Sequence, residues 1–212
     1  MIDAKVIHDS LPNIGLLVFE GVLTTEVTAS MDVLAKKSKN GAQLFNVFTI
    51  AESQSPLRSE EGLAIIPDFT YANAPQLDVL FVPSGYDMYG QVNNPKTLDF
   101  IRQQNRHTRY TVSNCAGAQL IGASAIAKGK RIVTYVGGGK ELQATYPKLK
   151  VQNDSLVTYV EDGKLLSSNG NLASYISALN LLEKMTNSEH RDYVEARSEE
   201  HTSELQSLAR IS

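Results

Sequence analysis

The stretch Tyr110-Thr111-Val112-Ser113-Asn114-Cys115-Ala116-Gly117-Ala118-Gln119-Leu120-Ile121-Gly122-Ala123-Ser124-Ala125-Ile126-Ala127 decides the fold. Its first five residues read as a buried strand, and Ala116 to Ala127 as a close-packed helix. Cys115, the single cysteine of the chain, is the hinge between them. A sharp strand-to-helix turn lifts a side chain out of a sheet and points it into a cleft. It also sets the sulfur near a helix N-terminus, where the macrodipole favours thiolate. Ala116 and Gly117 are small enough for so tight a backbone. By residue type alone a lone cysteine reads as a small buried hydrophobe. The elbow context points instead to a nucleophile.

Outward from the elbow, strand and helix alternate, which predicts an α/β fold: a mostly parallel sheet with helices on both faces. Ile14 to Phe19 is a continuous apolar run, as expected of a strand buried on both sides. A helix follows from about Thr25, with Val27, Met31 and Leu34 at helical spacing. Leu44 to Ile50 is the next strand, Leu63 to Ile66 a short edge ribbon, and Leu77 to Val82 a central strand stopping at Pro83-Ser84-Gly85. Asn94-Pro95 opens a helix to about Arg106, proline suiting its first turn. Beyond the elbow helix come a strand at Arg131 to Tyr135 and a helix after Gly137-Gly138-Gly139. Leu156 to Val160 and Lys164 to Ser168 form a hairpin around Asp162-Gly163. Ala173 to Met185 is a final amphipathic helix with Ile176, Leu179, Leu182 and Met185 on one face.

The chain has 212 residues, 42% hydrophobic and 20% charged, with net charge −3. That suits one domain with a sizeable core and no nucleic-acid surface within residues 1–196. One cysteine excludes an internal disulfide and fits a reducing compartment, so a cytoplasmic location is expected. No apolar run approaches the ~18 residues of a membrane span. Met1 to Leu11 lacks a signal-peptide pattern, although an exported precursor trimmed at its start is compatible with it. Arg197-Ser198-Glu199-Glu200-His201-Thr202-Ser203-Glu204-Leu205-Gln206-Ser207 reads as the in-frame translation of a widely used sequencing adapter. Residues 1–12 are therefore read as an N-terminal extension, 13–196 as the domain and 197–212 as a non-native tail hiding the true continuation.

In an open α/β sheet, function gathers beyond the carboxyl ends of the strands. Glu20 to Glu26, Pro83 to Tyr86, Cys115-Ala116 and Tyr135 to Gly139 leave those ends, and the loop at Asn169-Gly170 is placed with them. Glu26 is the nearest acid, able to hold or relay a proton for Cys115, or simply to complement its helix dipole. The backbone N–H groups of Gly85 and Ala116 are candidates for an oxyanion hole. Tyr86, Tyr135, Asn169 and Gly170 are candidate pocket residues, although tyrosines beside a glycine turn also serve packing. Gly137-Gly138-Gly139 lacks the Lys-Ser/Thr ending of a P-loop. No His/Cys/Asp/Glu group has metal-ligand spacing, so no metal and no cofactor are expected.

Strand, Cys115-Ala116-Gly117, small-residue helix, Glu26 and Val82-Pro83-Ser84-Gly85 together resemble the DJ-1/PfpI superfamily, over about Asn13 to Ala196. The resemblance implies a flavodoxin-like three-layer sandwich of the class I glutamine amidotransferase type, a nucleophile elbow at Cys115, and a homodimer. The order Lys128-Gly129-Lys130, Val133-Thr134, Asp162-Gly163-Lys164 and Ser167-Ser168-Asn169-Gly170 is similar to isonitrile hydratases and to the ligand domain of AraC-type regulators. The chain also departs from the pattern. Many relatives carry a histidine where this chain has Tyr135, and a phenol with pKa near 10 is a poor base. His107 precedes a strand spanning about 16 Å at ~3.3 Å per residue, which puts it at the opposite end of the sheet. Isonitrile hydratases pair cysteine with aspartate and a following threonine, whereas Glu26 and Ala116 are closer to the DJ-1 branch.

Two functions remain open at this level. One is a cysteine-dependent lyase or hydrolase acting on a small electrophilic compound, of hydratase, glyoxalase or hydrolase type. The other is a small-molecule or redox sensing domain, the N-terminal half of an AraC-type transcription regulator.

Overall fold

The computed structural model describes residues 5–197. In chain order the elements begin with β1 (Asn13–Leu17), α1 (Thr24–Leu34), β2 (Asn46–Ala51), β3 (Leu57–Arg58), β4 (Ala64–Ile65) and β5 (Phe69–Thr70). There follow β6 (Val79–Val82), α2 (Met88–Val92), α3 (Pro95–Asn105), β7 (Tyr110–Asn114) and α4 (Gly117–Ser124). The chain continues through β8 (Arg131–Ile132), α5 (Gly139–Thr145), β9 (Lys150–Val151), β10 (Tyr159–Asp162), β11 (Leu165–Ser168) and α6 (Ala173–Met185). Residues 188–197 are also helical.

Seven strands form one sheet in the order β10-β11-β7-β6-β1-β2-β5. Only β10 runs antiparallel, in the hairpin with β11. β1, β6 and β7 are buried on both sides because α1 and α6 cover one face and α3 and α4 the other. This is the flavodoxin-like α/β sandwich, with Ile14, Leu16, Phe48, Leu80, Phe81 and Ile121 among its fully buried side chains. Asn94 caps α3 by accepting the Lys96 and Thr97 N–H groups at 3.0 and 3.4 Å, with Pro95 in the first turn. Gly117 lets α4 press on the loop after β6, where a Cβ would collide with the Val82 carbonyl. Leu57–Arg58 and Ala64–Ile65 make the expected edge ribbon.

Register positions the site. Val82 pairs with Ser113, and Asn114 with Ser168, so the loops leaving β6, β7 and β11 emerge side by side. β1 lies between β6 and β2, and the direction of winding changes there. Glu26 and Ser84 follow the two strands that flank this switch point.

Three expectations change. Arg131 to Tyr135 is a strand only at Arg131–Ile132, and it pairs with β9 in a separate ribbon instead of joining the main sheet. Beyond it, side-chain bonds replace the ladder: Val133 N–H donates to Ser167 Oγ at 3.0 Å and Thr134 Oγ1 to the Cys115 carbonyl at 2.8 Å. The elbow helix stops at Ser124, because Ala125 is left-handed with φ 57°. The buried face of α6 is Ser174, Ser177, Ala178, Leu181 and Leu182, while Ile176 is 40% exposed. Small residues let α6 lie close against α1 and the sheet. The short helix α2, strands β5 and β9 and the helical residues 188–197 had no clear sequence signal. The N-terminal segment carries no helix or strand from residue 5 to 12 and is pinned by Asn46, whose Nδ2 donates to the His8 and Leu11 carbonyls. Of the tail read as adapter-derived, all but Arg197 lies outside the described residues. Among the described residues, no helix is long and apolar enough to cross a membrane.

Candidate active site

Cys115 is a non-glycine residue at φ 53°. A left-handed cysteine is a strained conformation of order 1–2 kcal/mol that the surroundings must hold. They do so through the backbone: Cys115 N–H donates to the Ser168 carbonyl at 3.0 Å, and its carbonyl accepts from Thr134. Thr134 is held in turn by Asn169, whose Nδ2 donates to the Thr134 carbonyl at 2.6 Å. Behind the elbow, Asn114 Oδ1 accepts from Ser168 Oγ and Ser177 Oγ, both at 2.9 Å.

Glu26 lies in the first turn of α1 yet is only 1% exposed, so complementing the helix dipole is not its whole role. The loop after β1 is zipped to the loop after β6, with Leu23 N–H donating to the Ser84 carbonyl at 3.0 Å and Val22 bridged to Gly85. This turns the carboxyl inward. Oε2 accepts the Ser84 N–H at 2.6 Å and Oε1 the Asn171 N–H at 3.2 Å. Burial still raises the carboxyl above its ordinary value, because removing the charge from water outweighs these donors.

The Cys115 thiol and the Glu26 carboxyl are hydrogen-bonding neighbours. Burial, and then the Glu26 charge, push the thiol up to about 11. The Ser84 hydroxyl and the Ala116 N–H pull the other way and lose. The helix end therefore does not make a resting thiolate, contrary to the sequence-based expectation. The resting sulfur is a thiol with the buried Glu26 carboxyl beside it.

The other candidates divide. Gly170, at φ 82°, is packed so tightly that a Cβ there would overlap the Cys115 Cβ and Glu26 Oε1. Tyr135 is half-buried with its ring over Gly138, and burial together with Glu141 and Cys115 raises its phenol. Asn169 braces Thr134 rather than facing the sulfur. Ala116 presents its N–H to the sulfur, whereas the Gly85 N–H is already donated to Met88 Sδ at 3.1 Å. Tyr86 is 84% exposed and stands at the surface instead of lining the buried site. His8 and His107 are exposed, and His190 lies by Lys39. Among the described residues no group of three or more His, Cys, Asp or Glu is placed to hold a metal.

Sequence reasoning assigned no role to Ser84, Thr134 or Asn171. The run Asn169-Gly170-Asn171 does carry a signal, since Asn and Gly favour left-handed backbone, and Asn171 adopts φ 49°. Thr134 and the Ser84 N–H carry none.

Known proteins are similar to this chain in sequence and fold. Isonitrile hydratase of Pseudomonas putida is 31% identical over 172 residues, covering 81% of this chain and 71% of that protein. The crystal structure of a THiJ/PfpI family protein from Pseudomonas syringae superposes with a TM-score of 0.79 at 22% identity, covering 90% of this chain and 75% of that one. That of an AraC family transcriptional regulator from Pseudomonas putida gives 0.72 at 16% identity, covering 87% and 97%. The sequence profile of the DJ-1/PfpI family matches residues 12–184. Profile, fold and the left-handed cysteine at the strand-to-helix elbow agree, and the chain belongs to the DJ-1/PfpI family.

Proposed function

We propose that this chain is a cysteine-dependent enzyme acting on a small electrophilic compound, an isonitrile or a reactive carbonyl. The observation that carries this reading is the buried Glu26 carboxyl beside the strained Cys115 thiol. The likeness to isonitrile hydratase supports the substrate class. On binding, the thiol proton passes to Glu26 and the sulfur forms a bond to the electrophilic carbon. The electron pair displaced from that carbon's multiple bond is met by the Ala116 N–H, and by Gly85 once its N–H leaves Met88. Glu26 then returns the proton to the substrate, a water molecule from solvent adds to the same carbon, and the C–S bond breaks with a proton returning to sulfur, releasing the hydrated product and restoring the thiol. Tyr135 offers a phenol O–H as donor at the rim, in place of an imidazole base.

The protein would work in the cytoplasm as a homodimer with a small-molecule substrate and no cofactor. Turnover of a panel of alkyl and aryl isonitriles and small aldehydes tests the reading. Cys115→Ser should abolish turnover, and undiminished turnover in that variant sinks it.

A second reading is a non-catalytic sensing domain. The raised thiol and the phenol at Tyr135, together with the likeness to an AraC family regulator, favour it. A wild-type protein that turns over nothing in the panel, yet shows ligand-dependent thermal stabilisation, would support the sensor. Selective peroxide oxidation of Cys115 would support its redox form.

A further inference from the structure

Ser84 is a buried residue of the loop after β6, and its backbone is fully engaged. Its N–H donates to Glu26 Oε2 at 2.6 Å and its carbonyl accepts from Leu23 N–H at 3.0 Å. Its side chain is less well served. Ser84 Oγ is buried beside the Glu26 carboxyl and the Cys115 sulfur, close enough to influence both, yet among the described residues it makes no hydrogen bond of ordinary distance and angle. An unpaired buried hydroxyl costs of order 1–3 kcal/mol, and folded interiors keep few of them. This one cannot withdraw: the bonds from Leu23 and to Glu26 fix the backbone on both sides, and the residue is 1% exposed. A serine hydroxyl carries one donor hydrogen, free to swing about its C–O bond.

We propose that Ser84 is a positioning residue whose hydroxyl is held in reserve as a hydrogen-bond donor for the Cys115 thiolate. This rests on the Cys115–Glu26 proton partnership set out above. In the resting site the proton is on sulfur, and thiolate forms from the pair when the Glu26 carboxylate takes that proton. As the proton crosses, the S–H bond breaks, an O–H bond forms on the carboxyl, and sulfur keeps the electron pair and the negative charge. The hydroxyl then turns its hydrogen to the charged sulfur, keeping its own proton throughout. A donor to an anion makes a stronger bond than one to a neutral partner, so the hydroxyl favours the state that attacks.

The single cysteine makes the test direct. Iodoacetamide alkylation of the full chain, followed by intact mass from about pH 6 to 10, reports the thiolate fraction of Cys115 alone. Ser84→Ala should slow alkylation about tenfold at each pH of this range, as a thiol raised by about one pH unit would. The same variant should unfold at the same temperature as the wild type or higher, since an unpaired buried hydroxyl has gone. A structural role alone would not move the pH profile. Superimposable profiles overturn the proposal, as does faster alkylation of the variant. A wild-type thiol that stays unmodified throughout also overturns it, because no thiolate then forms for the hydroxyl to serve. Turnover plays no part in this measurement, so a wild type inactive on isonitriles defeats the enzymatic reading and leaves this result standing.

Discussion

Gly170 stands against Cys115 with no room for even a methyl group: a Cβ there would overlap the cysteine Cβ and Glu26 Oε1, and lie 2.9 Å from the Cys115 nitrogen. The residue is also left-handed, at φ 82°. Gly170→Ala therefore meets two penalties, backbone strain of about 1 kcal/mol and overpacking of about 1–3 kcal/mol. Thermal or urea unfolding should show a loss of about 2–4 kcal/mol, and Cys115 should become more accessible to alkylation. Unchanged stability would mean that the Asn169-Gly170-Asn171 loop is free to move away from the sulfur.

The thiol itself ties stability to pH. Its folded value is raised from 9.0 to about 11, so the protonated form is favoured in the folded state. That contribution is fully present below pH 9 and is lost as pH climbs through 11. Wild type should lose up to about 3 kcal/mol relative to Cys115→Ala across this window. Parallel pH series of urea unfolding for the two proteins give the difference, in which the tyrosines cancel. A constant difference from pH 8 to 11 would show that the sulfur is no less solvated folded than unfolded.

Glu26→Gln should separate acidity from catalysis. The Glu26 charge raises the Cys115 thiol, so removing it lowers that value and speeds alkylation near pH 8 about three- to tenfold. Turnover should fall at the same time, because an amide cannot take the thiol proton. Alkylation that slows in this variant would indicate that Glu26 acts chiefly as a donor to sulfur.

Asn114 braces the elbow from behind. Asn114→Ala removes the acceptor shared by Ser168 and Ser177 and opens a cavity under Cys115. A loss of about 2–4 kcal/mol in urea unfolding is expected from the orphaned hydroxyls and the missing volume. A loss under about 0.5 kcal/mol would mean that the two serines find other partners, as Ser177 can at the Ser174 carbonyl, 3.0 Å away.

Much of this was legible in the chain itself, for identifiable reasons. β1 and β6 read directly because both their faces are buried, which leaves apolar runs. Asn94-Pro95 and Asp162-Gly163 marked a helix start and a hairpin through local chemistry alone. Cys115, Glu26 and Gly170 could be placed together because parallel strands deliver their carboxyl ends to one side. What was not legible depends on tertiary contact. The Ser84 and Asn171 N–H groups that hold Glu26 have no side-chain signature. The helix dipole at Cys115 was visible, but the burial that overrides it was not. Thr134 leaves the expected strand because its hydroxyl finds the Cys115 carbonyl, a partner 19 residues away. On α6, apolar periodicity favoured Ile176, while the close approach of α1 selected serines and alanine.

The bond from Asn171 N–H to Glu26 joins positions 145 residues apart. During synthesis, Glu26 leaves the ribosome long before its second donor exists. An N-terminal fragment, however well its first strands pair, carries an acid that has lost its water without gaining both replacements. Contacts this distant in sequence form late. The Cys115–Glu26 pair is therefore a late assembly: the carboxyl gains its second donor only when nearly the whole domain has been made, and until then Cys115 is an ordinary exposed thiol with no buried acid fixed beside it.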